Sequence, residues 1–186
     1  IRVYFCCAAP NFAQPKIFPD ILLQAAYVGV MALGATFIIA TSGIDLSVGT
    51  GMTLVAVMAG VFLSADWLNL PLWLGLILTL VVGAIMGLIN GVNVSLLGLP
   101  PFIATLAMMM VARGLALIIS GASTISIANP GYIFLSTGNI IPGISNAAII
   151  LLLLTVLAGF LMNKTVLGRC AIAIGSNEEA TRLSGA

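Results

Sequence analysis

Five long apolar runs follow one another along this chain, four of them free of charged side chains and the other holding a single arginine, Arg113. They cover Ile21–Thr41, Ser47–Leu63, Pro71 to about Leu97, Phe102–Ile119 and Ala147–Met162. A helix rises about 1.5 Å per residue, so about 20 residues cross the roughly 30 Å of bilayer hydrocarbon. A spanning segment must satisfy its backbone internally, which leaves helices or a closed barrel. Barrel strands alternate polar and apolar over about ten residues. These runs are continuous instead, and they predict an all-α polytopic transmembrane helix bundle of about five spans.

Composition supports lipid as the solvent. Of 186 residues, 61% are hydrophobic and 6% are charged, against about 25% charged in a soluble domain. Mean hydropathy is +1.25. Six Lys/Arg against five Asp/Glu leave a net charge of +1, with no basic excess to neutralise nucleic-acid phosphates. The chain has no histidine, which removes the commonest general base and metal ligand. Cys6, Cys7 and Cys170 have neither metal-type spacing nor a disulfide framework, and read as small apolar residues. No metal site, signal peptide or nucleophile–base pair is visible, so an enzyme is not expected. The chain starts at Ile1 and stops at Ala186 inside a motif, and is read as an internal piece of a longer protein.

In the third run Gly75, Thr79, Gly83, Gly87 and Gly91 recur every four residues and form one ridge of small side chains. Lipid offers no hydrophobic drive between helices, so close approach at small residues is the usual device. The ridge predicts that this helix is central. Thr105, Ala112 and Ala116 form a weaker stripe on the fourth run. Lys164, Arg169 and Arg182 follow the fifth run, and Ser120–Asn146 contains no Lys/Arg, so the positive-inside rule places the tail in the cytoplasm. Counting back puts residues 1–20 outside despite Arg2 and Lys16, and asks for an earlier span ending near Val3–Ala9.

Four places can carry function. At Thr41-Ser42-Gly43-Ile44-Asp45-Leu46-Ser47-Val48-Gly49 the chain breaks, either as a hairpin turn with Asp45 or Ser47 capping the next helix or as a helix interruption that opens backbone groups to a cavity. Asn90 and Asn93, beside the glycine ridge, either bond between helices or line a path for a hydroxyl-rich solute. Arg113 costs about 2.5–3.5 kcal/mol at mid-bilayer, so it snorkels, lines water or finds a partner such as Asp45. The tail, residues 164–186, reads as a short cytoplasmic helix with Ser176 and Glu179 at capping-box spacing, Glu178 and Glu179 at its start, Arg182 near its end and Gly185 to stop it. Ala180 and Leu183 give it a small apolar face, as a surface helix or a docking helix for a partner.

Three segments together resemble the inner-membrane permeases of ribose-type and related sugar importers of the ATP-binding-cassette class, within the branched-chain amino acid/sugar permease superfamily. They are Thr41 to Gly49; Gly87-Leu88-Ile89-Asn90-Gly91 followed by Pro101-Phe102-Ile103-Ala104-Thr105-Leu106 and Ala112-Arg113-Gly114; and Leu167-Gly168-Arg169 followed by Ala173 to Gly185. The resemblance covers nearly the whole chain. It implies one transmembrane permease domain over 1–186, part of a permease of about ten spans, with residues 164–186 as a cytoplasmic coupling segment. It implies a second permease subunit (a homodimer or a paralogue), a cytoplasmic ATPase that binds the ATP, and a periplasmic binding protein that delivers a monosaccharide such as ribose, xylose or galactose. Asp45, Ser47, Asn90, Asn93, Thr105 and Arg113 are candidates for the solute path. Arg169, Gly175, Asn177, Glu178, Glu179, Ala180, Arg182 and Gly185 are candidates for ATPase coupling, and Gly75, Gly83, Gly87 and Gly91 for helix packing. No phosphate-binding glycine-rich loop occurs, and no cofactor of the chain's own is expected. Other readings are an ion-coupled secondary transporter with an ion site near Asp45, or the same kind of permease for a nucleoside or amino acid.

Overall fold

The computed structural model describes residues 17–183. The expectations placed on Arg2, Val3–Ala9, Cys6, Cys7, Lys16 and Gly185 lie outside the described residues. Among the described residues eight helices follow in order: α1 Ile17–Ala40, α2 Val48–Leu63, α3 Leu72–Ser95, α4 Pro101–Ser120, α5 Pro130–Thr137, α6 Asn146–Lys164, α7 Val166–Ser176 and α8 Glu178–Leu183. Among the described residues α3, α4, α6 and residues 19–40 of α1 are long and apolar enough to cross a membrane. The second apolar run forms only the 16-residue α2, about 24 Å long. The protein is an all-helical transmembrane bundle.

The stretch from Ser120 to Asn146, between the fourth and fifth apolar runs, contains the short helix α5. Asn129 starts it, its Oδ1 accepting the N–H groups of Gly131 and Tyr132 at 3.0 and 3.3 Å, and Pro130 supplies a preset φ at the first helical position. Asn146 closes the same loop. Its side chain donates to the Phe134 carbonyl at 2.8 Å and accepts the Ile140 N–H at 2.9 Å.

Among the described residues α2 is the enclosed helix, not the glycine-ridged α3. It buries Gly51, Leu54, Ala59, Gly60, Val61 and Leu63, whereas α3 buries Gly75 alone. The reason lies in α2's own small residues, which let α3 on one side and α4 on the other come close. Gly51 faces Met86, Val55 faces Gly83, and Leu63 seats against Gly75, so α2 and α3 run antiparallel. Nothing lies within 4 Å of where a Cβ would stand at Gly87 or Gly91. On α4 the stripe read as weak forms the core: Ala112 and Ala116 are buried and pack on Leu54, with Val57, Met58, Met86 and Ile119 around them.

The second unit pairs α1 with α6, where Leu151 fills the space left at Gly29. Tyr27 and Val30 of α1, Leu76 of α3, Tyr132 of α5 and Ile150 of α6 line one apolar cavity. This gathers the starts of α1, α3 and α6 at one end of the bundle with α5, here termed the loop end. The C-terminus of α1, the 42–47 break and α7 meet at the other, the tail end. The sequence left open whether the break is a turn at that end or lies within the bundle; it does both. It sits at the tail end but reaches Asn90, five residues inside α3, and Thr105, four residues inside α4, a depth of about 6–8 Å.

Candidate functional site

The break begins with a defined stop. Gly43 N–H bonds to the Ile38 carbonyl at 3.0 Å and Ser42 N–H to the Ile39 carbonyl at 2.9 Å, which is the Schellman arrangement, with Ser42 in the left-handed region at φ +59. Glycine usually takes that position; serine there strains the backbone by about 1–2 kcal/mol. The Ser42 hydroxyl donates to the Gly175 carbonyl at 2.9 Å. Gly175 lies so close that a Cβ would overlap the Ala40 carbonyl and stand 3.4 Å from Ser42 N. The end of α7 is therefore fixed to the end of α1, backbone against backbone.

Beyond Gly43 the chain is held by side chains. The Asp45 Oδ1 accepts the Ser47 N–H at 2.7 Å and the Ser47 hydroxyl at 2.6 Å. Asn90 Nδ2 donates to the Ser47 Oγ at 3.0 Å. The Thr105 hydroxyl accepts the Leu46 N–H at 3.2 Å and lies within bonding distance of the Ile44 and Pro101 carbonyls, at 3.2 and 2.8 Å. Ser47 and Thr105 are buried. In a low-dielectric surrounding an unpaired backbone N–H costs about 1–3 kcal/mol, so these bonds keep an irregular segment viable inside a bundle. Asp45 thus acts on the start of α2, while Ser47, its N-cap residue, makes no side-chain cap bond of its own. Asn90 Oδ1 is buried and has no partner among the described residues.

Of the six residues proposed for a solute path, four form this knot: Asp45, Ser47, Asn90 and Thr105. Asn93 adds no side-chain bond to it among the described residues; its carbonyl accepts the Leu99 N–H at 3.1 Å. Arg113 stands apart. Among the described residues it has no ion pair, and the suggested pairing with Asp45 does not form. Its exposed side chain lines a cleft of about 430 Å³ between α2 and α4, together with Thr50, Thr53, Ser120, Ser123 and Thr124. Sequence reading missed these hydroxyls. The signal was present: Thr50 and Thr53 are three apart, Arg113 and Ser120 seven apart, each pair on one helical face.

In the tail, Arg169 lies on α7, exposed, and Gly175 one residue before its end. The capping expectation shifts by one residue. Asn177, not Ser176, caps α8, its Oδ1 accepting the Ala180 N–H at 2.9 Å; Ser176 is still the last residue of α7. Glu178 and Glu179 occupy the first turn of α8 and are exposed, and Arg182 falls within the helix. Thr181 is buried and donates to the Asn177 carbonyl at 2.7 Å, while Leu183 is exposed. Among the described residues no group of three or more metal-ligating side chains occurs.

Residues 17–186 match the model of a family described as branched-chain amino acid transport system / permease component. Similar proteins include the fructose import permease protein FruF of Bifidobacterium longum, 39% identical over 94% of this chain and 49% of that protein. The ribose import permease protein RbsC of Bacillus subtilis is 39% identical over 95% of this chain and 54% of its own length. The galactofuranose transporter permease protein YtfT of Escherichia coli is 35% identical over 89% and 48%. The chain spans about half the length of the curated relatives it matches. No solved structure matches it.

Proposed function

The chain belongs to the family of branched-chain amino acid transport system permease components, and from that premise we propose that it is a membrane-spanning permease of an ATP-binding-cassette importer that carries a monosaccharide across the bacterial inner membrane. The family description speaks of amino acids, but the relatives named above import fructose, ribose and galactofuranose, and this favours a sugar. In this reading the chain performs no chemistry. ATP is bound by a cytoplasmic ATPase, a periplasmic binding protein delivers the solute, and a second permease subunit completes the passage.

The single observation that carries the proposal is the bond from Ser42 Oγ to the Gly175 carbonyl. It ties the tail, the segment suited to dock an ATPase, to the break that leads into α2. A force on α7 and α8 is then transmitted to the α1 end and, through Asp45 and Ser47, to Asn90 on α3; Thr105 links the same segment to α4. The exposed Glu178 and Glu179 lie at a helix start, and Arg169, Asn177, Ala180, Arg182 and Gly185 of the same tail are the other candidates for ATPase coupling.

The test is a charge swap in the tail. Glu178→Lys combined with Arg182→Glu is expected to abolish co-purification of the partner ATPase from membranes and to lower uptake of labelled ribose or fructose at least tenfold. Retained ATPase binding with normal uptake would overturn the docking role.

A further inference from the structure

The α2–α4 cleft differs from the knot in how its polar groups are occupied. The Thr50 hydroxyl donates to the Ser47 carbonyl at 3.2 Å, Thr53 to the Gly49 carbonyl at 3.2 Å, and Ser123 to the Ser120 carbonyl at 2.6 Å. Each proton is held by backbone, so each oxygen presents lone pairs to the cleft. Against these acceptors stands one strong donor, Arg113, whose guanidinium is always charged and carries five N–H groups. Among the described residues it has no ion pair, and the cleft has no acidic lining residue.

The cleft also has a direction. Leu46 meets Thr105 at the tail end and Gly60 meets Ile125 at the loop end, so α2 and α4 run parallel. Arg113 lies seven residues, about 10 Å, below Ser120. The lining descends from Ser123 and Thr124 at the loop end past Arg113 to Thr50, about one turn above Ser47. The knot of Asp45, Ser47 and Asn90 therefore lies beneath the cleft.

We propose that this cleft, which runs from the loop end down to one turn above the knot, is a solute subsite built for a neutral polyhydroxyl molecule, with Arg113 as its principal donor. The inference rests on the permease reading above and adds residues and a selection rule to it. A neutral polyol donates to Thr50, Thr53 and Ser123 and accepts from Arg113 with the same kind of group. A simple anion satisfies Arg113 but meets, at Thr50, Thr53 and Ser123, hydroxyl oxygens whose protons are held by backbone. A zwitterionic amino acid brings its donor and acceptor on one carbon, whereas the acceptors here are spread along the whole cleft, with no carboxylate for its ammonium.

The experiment measures uptake of labelled ribose, fructose, galactose and leucine in cells carrying the chain with its ATPase and binding protein, and ATP hydrolysis by the purified assembly. Thr53→Val combined with Ser123→Ala should lower sugar uptake about fivefold, and Arg113→Met at least tenfold, with Arg113→Lys restoring part of it. ATP hydrolysis should stay within twofold of the parent. Wild-type sugar uptake by Arg113→Met, or leucine as the preferred solute, would overturn the proposal. Loss of ATPase association in the unaltered chain would instead overturn the permease reading. Should a variant fail to assemble, Thr53→Cys in a background of Cys6→Ala, Cys7→Ala and Cys170→Ala provides a second measurement. Labelling by a small membrane-impermeant thiol reagent added outside, slowed by the transported sugar, supports the subsite; no labelling, or labelling indifferent to every sugar, refutes it.

Discussion

Two helices of this bundle stop in the same way at opposite ends. At the tail end α1 closes with Ser42 in the left-handed position; at the loop end α4 closes with Gly121 at φ +60, Gly121 N–H bonding to Ile118 and Ala122 N–H to Leu117. The hydrogen-bond pattern is the same and the residue at the first left-handed position differs; at the α4 stop Ala122 follows Gly121 into that region at φ +55. Glycine itself takes that conformation without strain. Serine accepts the strain and gains a hydroxyl that reaches Gly175, 133 residues away. The contrast extends to the surroundings. At the tail end, side chains from α3 and α4 and the backbone of α7 all bond to the break; above it, the hydroxyls of Thr50, Thr53 and Ser123 bond their own helix or turn and line a cleft that reaches the loop end. In the proposed reading one end holds and transmits position and the other receives a solute.

That contrast is most directly broken at Gly175. A methyl group there overlaps the Ala40 carbonyl, which is backbone and cannot rotate away. Overpacking of this kind costs about 1–3 kcal/mol, and here the relief available is withdrawal of α7 from α1. Gly175→Ala should reduce uptake at least about fivefold on that scale and expose the tail to limited proteolysis. Normal uptake with an unchanged cleavage pattern would show that the two ends are not mechanically different.

A smaller effect comes from making the inner stop resemble the outer one. Ser42→Gly removes about 1–2 kcal/mol of left-handed strain and loses one hydrogen bond worth about 0.5–1.5 kcal/mol. The two nearly cancel, so thermal unfolding in detergent should change little. Uptake should nevertheless fall several-fold, because the bond to Gly175 is what joins tail to break. A variant that transports normally would reduce Ser42 to an accidental occupant of its position.

The sequence made much of this legible, for physical reasons that also mark its limit. The apolar runs located α1 to α4 and α6, because lipid fixes the length and hydrophobicity of a spanning helix. Asp45 and Asn90 stood out because polar groups in hydrocarbon need a reason to be there. Which reason could not be read, since it depends on contacts between residues 43 apart, as for Ser47 and Asn90. Six path candidates were grouped by chemistry; the fold joined four of them in the knot, left Asn93 outside its side-chain bonds and carried Arg113 away on α4. The cap at Asn177 was missed by one residue because Ser176 and Asn177 are both good cap formers and only the end of α7 decides between them. The helix α5 was hidden by its length of 8 residues, too short for periodicity to register.

The mildest test is the converse exchange, which gives the outer stop the residue of the inner one. Gly121→Ser imposes the left-handed strain, about 1–2 kcal/mol, at a site where nothing lies within 4 Å of the added Cβ. Crowding adds nothing to that figure, and there is no counterpart of the Gly175 carbonyl for the new hydroxyl to reach. The bundle should therefore lose about 1 kcal/mol of stability by thermal unfolding, at the low end of that range, and uptake should stay within about twofold, well short of the tenfold that 1.4 kcal/mol of functional coupling represents. The stability loss without functional loss is the opposite signature to that expected of Ser42→Gly. If Gly121→Ser abolished uptake while the protein stayed folded, the rim of the cleft would be a moving part, and the division between a transmitting end and a receiving end would have to be redrawn with both ends in motion.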